Sequence, residues 1–451
     1  MINEFRKLGL ELPTVLMPDE SIDLTKWAVV ACDQYTSQPD YWHDVEKLAG
    51  DVPSTLHLIF PEVYLEEDGS EERISKINEA MKSYLADNLL VPQKPGFILI
   101  DRKTSHAASR KGLIVALDLE KYDYRKGSQT LIRATEGTVV DRLPPRIRIR
   151  QNASVELPHI MVLIDDPEKT VIEPIAQKAE QLDKLYDFEL MLGGGHIKGY
   201  KVDSEDMLSS IINALQKLAD QRTFEEKYKV GNDKGLLLFA VGDGNHSLAS
   251  AKGHWENVKQ GLSEAEQAEH PARFALVELV NVHDEGLEFE PIHRVVFNVD
   301  PNQLLESMVK HFEKEGCKAE ILKHATKPEM KSEMEKLSAS QAHSIAFVTK
   351  DTFGTINVKS PFCTLEVGSL QAFLEEYLKE NSSIRIDYIH GEDVVDNLGL
   401  AEGNIGFYLP PMNKNDLFKT VILDGVLPKK TFSMGEAEEK RFYLESRKIV
   451  K

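Results

Sequence analysis

Short, wholly apolar runs alternate along this chain with longer stretches in which apolar side chains recur every three or four positions, and few architectures accept both. Phe97 to Ile100, Leu113 to Leu117, Ile160 to Ile164, Leu236 to Val241, Phe274 to Val280 and Ile345 to Val348 have the length and composition of strands. Ile74 to Leu85, Val171 to Leu185, Met207 to Leu218 and Leu304 to Phe312 carry helical spacing. The alternation predicts an α/β (mixed α+β) chain, with mixed sheets flanked by helices. With 451 residues there is room for two or three structural units. A strand-like run ends at Asn298 and Pro301 suits the first turn of a new helix, so the division is placed there. That gives a main α/β domain over residues 1–300 and a smaller carboxy-terminal α/β unit over 301–451.

Charge narrows the partners. Lys plus Arg number 54 against 74 Asp plus Glu, a net charge of −20, and such a surface repels polyanions, so nucleic acid is not expected. The three cysteines, Cys32, Cys317 and Cys363, form neither a CxxC pair nor a zinc spacing, which fits a reducing compartment. Glu4, Arg6, Lys7 and Glu11 interrupt the first apolar residues, so no signal peptide is read and a cytoplasmic location is expected. No 18-residue apolar span is present, so no membrane partner is expected either. A homo-oligomer is left open.

Residues 236–255, LLLFAVGDGNHSLASAKGHW, read as a strand meeting Gly242, Asp243 and Gly244, then a helix from about Asn245. Glycine permits a tight turn, and the unpaired N–H groups and dipole of a first helical turn attract an anion. This is neither a Gly-x-x-x-x-Gly-Lys loop nor a full Gly-x-Gly-x-x-Gly fingerprint, since Ser247 stands where a third glycine would fall. The bland alternative is a helix capped by Asp243 or Asn245. His246 adds a proton donor beside the anion position.

Residues 130–150, TLIRATEGTVVDRLPPRIRIR, form a basic island in an acidic chain. If Pro144 and Pro145 open a helix, Arg142, Arg146 and Arg150 share one face; a strand would instead align Arg146, Arg148 and Arg150. Arginine forks match phosphate and carboxylate, so Arg133, Arg142 and Arg146 are candidate phosphate contacts. Surface pairs with Glu136, Asp141 or Glu156 are the competing explanation. Thr135 could supply a hydroxyl contact, and Glu136 a base. Three further features are weaker: His283 and Asp284 with His293 and Arg294, the glycine-rich MLGGGHIKG at Met191 to Gly199, which is a mobile cover or a hairpin turn, and the polar loop after Cys32.

Arg110 to Tyr122, Arg133 to Arg142, Val241 to Ala251, Asn281 to Val295, Leu409 to Met412 and Pro428 to Phe432, in that order, resemble domain-of-unknown-function family 1015 over almost the whole chain. That family's central Ala-Asp-Gly-His-His-Arg aligns with Gly242 to Ser247; Asp243, Gly244 and His246 match, while Gly242, Asn245 and Ser247 depart, as in a divergent branch. The Asp-Gly-His turn is also similar to the nucleotide-phosphate element of the ParB and sulfiredoxin superfamily, which includes an ADP-dependent kinase of free serine. The resemblance implies a ParB-like nucleotide site.

Together these features lead to an expected nucleotide-dependent phosphotransfer to a small hydroxylated, serine-like metabolite, with ATP or ADP and magnesium as cofactors. His246, Glu136 and Asp243 are the acid-base candidates, and Asp243 the metal contact. Gly242, Gly244, Asn245, Ser247, Arg133, Thr135, Arg142 and Arg146 would hold the phosphorylated ligand. The alternatives are a phosphate-ester hydrolase on the same site and a non-catalytic sensor of a phosphorylated metabolite.

Overall fold

The computed structural model describes residues 1–36, 38–65, 67–337, 342–381 and 383–451. The chain forms two units, one of Met1–Glu288 with Met434–Lys451 and one of Phe289–Ser433. It therefore leaves the first unit, builds the second, and returns to the first for its last residues.

The first unit holds a ten-stranded mixed sheet: β1 (Leu10–Glu11), β2 (Phe97–Lys103), β3 (Arg110–Asp118), β4 (Tyr122–Asp123), β5 (Ile132–Ala134), β6 (Met161–Ile164), β7 (Lys184–Glu189), β8 (His196–Val202), β9 (Phe239–Asp243) and β10 (Phe274–Asn281). The order is β7-β8-β2-β3-β10-β6-β9-β5-β4, with β1 beside β3. β6 runs parallel to β10, and β9 parallel to β5, whereas β6 and β9 are antiparallel. Successive residues go to opposite faces: Leu99, Leu113, Val115 and Val277 join one apolar layer, and Ile98, Ile100, Ile114 and Leu276 the other. Covering on both faces is why the central runs Phe97 to Ile100, Leu113 to Leu117 and Phe274 to Val277 are apolar at successive positions.

Helix Glu205–Leu218 lays Leu208, Ile211, Ile212 and Leu215 on the first layer, and Ser70–Ala86 lays Ile74, Ile77, Met81 and Tyr84 on the second. Leu236 to Val241 becomes strand only from Phe239. The helix expected over Val171 to Leu185 does not form. One turn at Glu173–Ala176 and a 3-10 turn at Ala179–Gln181 precede β7. Pro174 fits only a first turn, so no long helix can run through it from upstream. From Lys184 the chain pairs with β8 instead, and the Leu190 N–H donates to the Gly195 carbonyl at 2.7 Å, which makes the glycine-rich stretch a hairpin turn.

The returning segment stitches the first unit together. Phe442–Tyr443 pairs with Val29–Val30, and Arg447–Lys448 with Val155–Glu156. Just before the first of these, buried Arg441 donates to Glu278 on β10 at 3.0 Å and to Glu445, which also accepts from Tyr186. Gly112 makes room for Glu278, since a Cβ there would stand 2.5 Å from its Oε1.

The second unit contains an antiparallel sheet of β11 (His293–Phe297), β12 (Lys318–His324), β13 (His343–Thr349), β14 (Thr352–Lys359), β15 (Arg385–Ile389) and β16 (Asn404–Tyr408), in the order β12-β14-β13-β16-β11-β15. Helix Pro301–Lys314 follows β11, with Asp300 as its cap. Among the described residues no helix is long and apolar enough to cross a membrane.

Candidate functional site

β9 ends at Asp243, and after Gly244 the helix α2 (Asn245–Lys259) begins; a second helix, α1 (Leu143–Gln151), opens with prolines in its first turn and packs on it. Gly244 sits at φ +76°, a left-handed conformation natural to glycine, and a Cβ on it would lie 3.0 Å from Ile160 Cγ1. No side chain caps α2. Its first-turn N–H groups therefore point beyond the helix. Gly242, Asp243, His246 and Ser247 are half-buried, so the corner is reachable from solvent.

The predicted residues sort into two sets. Thr135 and Asn245 are buried and spent on each other: the Thr135 N–H donates to Asn245 Oδ1 at 3.2 Å, and the Thr135 hydroxyl to the Val241 carbonyl at 2.6 Å. They lock β5 to the corner. Arg133 is also buried, donating to the carbonyls of Thr130 (2.8 Å), Leu236 (3.3 Å) and Gly235, and desolvation lowers its pKa to about 10. Glu136 is half-buried in the segment that follows.

The second set faces the corner. Asp243 Oδ1 accepts from the Gly244 N–H at 2.9 Å and Oδ2 lies 3.1 Å from Lys440 Nζ. Burial works to raise its pKa, but Lys440, the amide and nearby His159 overcome it and hold the carboxyl below its usual range. The Val139 N–H donates to His246 Nε2 at 3.3 Å, so that nitrogen is an acceptor. Burial first, then Arg146 and Arg142, keep this imidazole neutral by lowering its pKa. Of the arginines, exposed Arg142 pairs with no carboxylate among the described residues, whereas Arg146 makes a bidentate pair with Glu62 at 2.8 and 2.5 Å. Among the weaker features, His283 pairs with Asp165 at 2.7 Å.

Three residues at the corner escaped the sequence reading: Lys440, His159 and Tyr443. His159 Nε2 lies 2.7 Å from Ser247 Oγ, and its Nδ1 2.8 Å from the Tyr443 hydroxyl. Tyr443 donates to Cys32 Sγ at 3.1 Å and accepts from the Cys32 N–H at 3.2 Å. Burial pushes the Cys32 thiol well up, which makes it a poor nucleophile.

Among solved structures, the chain is similar to a free serine kinase variant in complex with AMP, at 14% identity and a TM-score of 0.39 over 77% of this chain and 95% of that one. A free serine kinase variant in complex with ADP gives 13% and 0.38 over 78% and 95%. A conserved hypothetical protein from Pyrococcus furiosus gives 14% and 0.34 over 73% and 90%. No curated protein matches. The model of a family described as a protein of unknown function, DUF1015, matches residues 16–377. That span contains the Gly242–Ser247 corner and the basic helix α1, and with most of its length matched the chain belongs to the DUF1015 family.

Proposed function

We propose that the Gly242–Ser247 corner binds the phosphates of ATP or ADP and that the protein transfers a phosphoryl group to a small hydroxylated, serine-like metabolite. One observation carries the reading: the uncapped start of α2, with His246 and Ser247 half-buried, adjoins the Asp243–Lys440 ion pair, and exposed Arg142 is near enough to His246 to help lower its pKa. Outward amides and a guanidinium attract phosphate oxygens. Asp243, ionised at neutral pH, accepts the proton of the incoming hydroxyl. His246 supports the segment at Val139. Both Asp243 oxygens are engaged, and no group of His, Cys, Asp and Glu forms a metal site among the described residues, so the residues do not fit a resident magnesium. The ion belongs to the nucleotide substrate.

A thermal-shift series with ATP, ADP, phosphoserine and inorganic phosphate, with and without magnesium, tests this reading. A nucleotide at a hundred times its Kd should stabilise by about 2.7 kcal/mol. Arg142→Ala should weaken it about tenfold, a loss of about 1.4 kcal/mol. Incubation with ATP and serine, with product analysis, then reads transfer. If no phosphate-bearing ligand shifts the melting temperature, the reading fails.

A further inference from the structure

We propose that Ser247 is a nucleophile that carries the phosphoryl group as a covalent phosphoserine, with His159 as its base and Tyr443 as the positioning residue. This deepens the phosphotransfer reading and rests on it.

The direction of the chain follows from taking the Tyr443 hydroxyl as the donor to Cys32 Sγ. The Tyr443 hydroxyl has one proton, and it goes to Cys32 Sγ. Toward His159 the phenol oxygen can therefore only accept, so Nδ1 carries the imidazole proton across the 2.8 Å contact. Nε2 is then bare, and the 2.7 Å contact to Ser247 is the serine hydroxyl donating to it. A hydroxyl polarised toward an unprotonated imidazole, whose far nitrogen is held by a third group, is the arrangement of an activated nucleophile. Tyr443 is fixed in turn: it is buried, lies edge-on to the His159 ring at 5.3 Å, and belongs to the strand that pairs with Val29–Val30.

A purely structural serine in a helix bonds to nearby backbone. Ser250 does this, donating to the His246 carbonyl at 2.7 Å. Ser247 reaches instead for a side chain 88 residues distant. Ser247 and His159 are both half-buried, so a phosphate held by the first-turn amides can approach Oγ.

The chemistry balances. Oγ attacks the terminal phosphorus while its proton passes to His159 Nε2; the bond from phosphorus to the bridging oxygen breaks, and the electron pair leaves with the nucleoside diphosphate. The acceptor hydroxyl then attacks the phosphoserine and gives its proton to Asp243. The Oγ–phosphorus bond breaks, and His159 returns its proton to Oγ.

The test uses the full chain with magnesium and ATP labelled on the terminal phosphate, without acceptor, quenched in acid and mapped by peptide. Label is expected on Ser247 in the unaltered protein, a measurement that depends on no variant. Ser247→Ala should abolish it while nucleotide still raises the melting temperature. His159→Gln should slow labelling by about a hundredfold or more. Tyr443→Phe should slow it less, lowering the rate constant for labelling while the ATP concentration that gives half the maximal rate stays as in the parent, because Tyr443 orients His159 and does not touch the nucleotide. Label on another residue overturns the proposal. So does product formation without any label, or undiminished turnover in Ser247→Ala, and in both cases the phosphotransfer reading survives. Failure of nucleotide to bind ends both.

Discussion

Lys440 and His254 show how single charges act here with opposite sign. The Asp243 carboxyl is held below its usual pKa, so its contribution to stability is present above the unfolded value of about 3.9 and is lost as pH falls through the lower folded value. Lys440→Met leaves that carboxylate half-buried without its cation. Because the Asp243 side chain keeps 31% exposure, the loss should be modest, about 1 kcal/mol at neutral pH, and should narrow toward about pH 4 as the group protonates. Urea unfolding at the two pH values reads it, and an equal deficit at both would contradict the assignment. His254 is buried in α2, and desolvation, reinforced by Arg150 against the opposing pull of Glu156, lowers its pKa to about 4. Above the unfolded value of about 6.5 it is neutral in both states and contributes nothing. Between there and about 4 the unfolded chain takes a proton that the native one refuses, so stability falls as pH falls. The slope is about 1.4 kcal/mol per pH unit for one such group. His254→Gln should remove that share. An unchanged slope would mean that other groups set this limb, His293 in the second unit being one with the same lowered value of about 4.

Helices α1 and α2 approach closely where α2 has Gly253: a Cβ there would come within 2.7 Å of Ile147 Cδ1. Gly253→Leu should push α1 outward, carrying Arg142 and Arg146 from the corner. Nucleotide affinity should then drop at least tenfold, with a destabilisation of about 1–3 kcal/mol from overpacking. Calorimetric titration checks the first, and undiminished affinity would show that the arginine helix does not matter to binding. The same elements show what a reader of the chain can and cannot see. Strands covered on both faces announce themselves as apolar runs, and paired prolines at Pro144 and Pro145 mark a helix start. Val171 to Leu185 misleads because its apolar spacing suits a helix while Pro174 and the pairing with β8 override it. At the corner, the strand-turn-helix through Asp243, Gly244 and His246 is legible because an apolar run, a glycine turn and a helical stretch follow one another in the chain. Arg133, Thr135 and Asn245 are harder, since whether a polar side chain faces a ligand or the backbone depends on the parallel partner strand. Tyr443 meets His159 across 284 residues, and no local pattern encodes such a meeting.

The whole chain closes on itself through Met434–Lys451, which belongs to the first unit although the second precedes it in sequence. Its removal would strip Glu278 of its Arg441 partner and leave Asp243 without Lys440. Breaking a buried pair by removing one partner costs about 3–5 kcal/mol, and the apolar contacts of Phe442 and Tyr443 go with it. A chain ending at Ser433 should therefore bind no nucleotide and melt far below its parent, and a synthetic Met434–Lys451 peptide should restore part of both. Parent-like melting of the shortened chain would refute this. Because these residues leave the ribosome after the rest of the first unit and all of the second, a translation product that stops short of them has the glycine corner but neither Lys440 nor Tyr443. An incomplete copy therefore lacks both the cation beside Asp243 and the phenol beside His159.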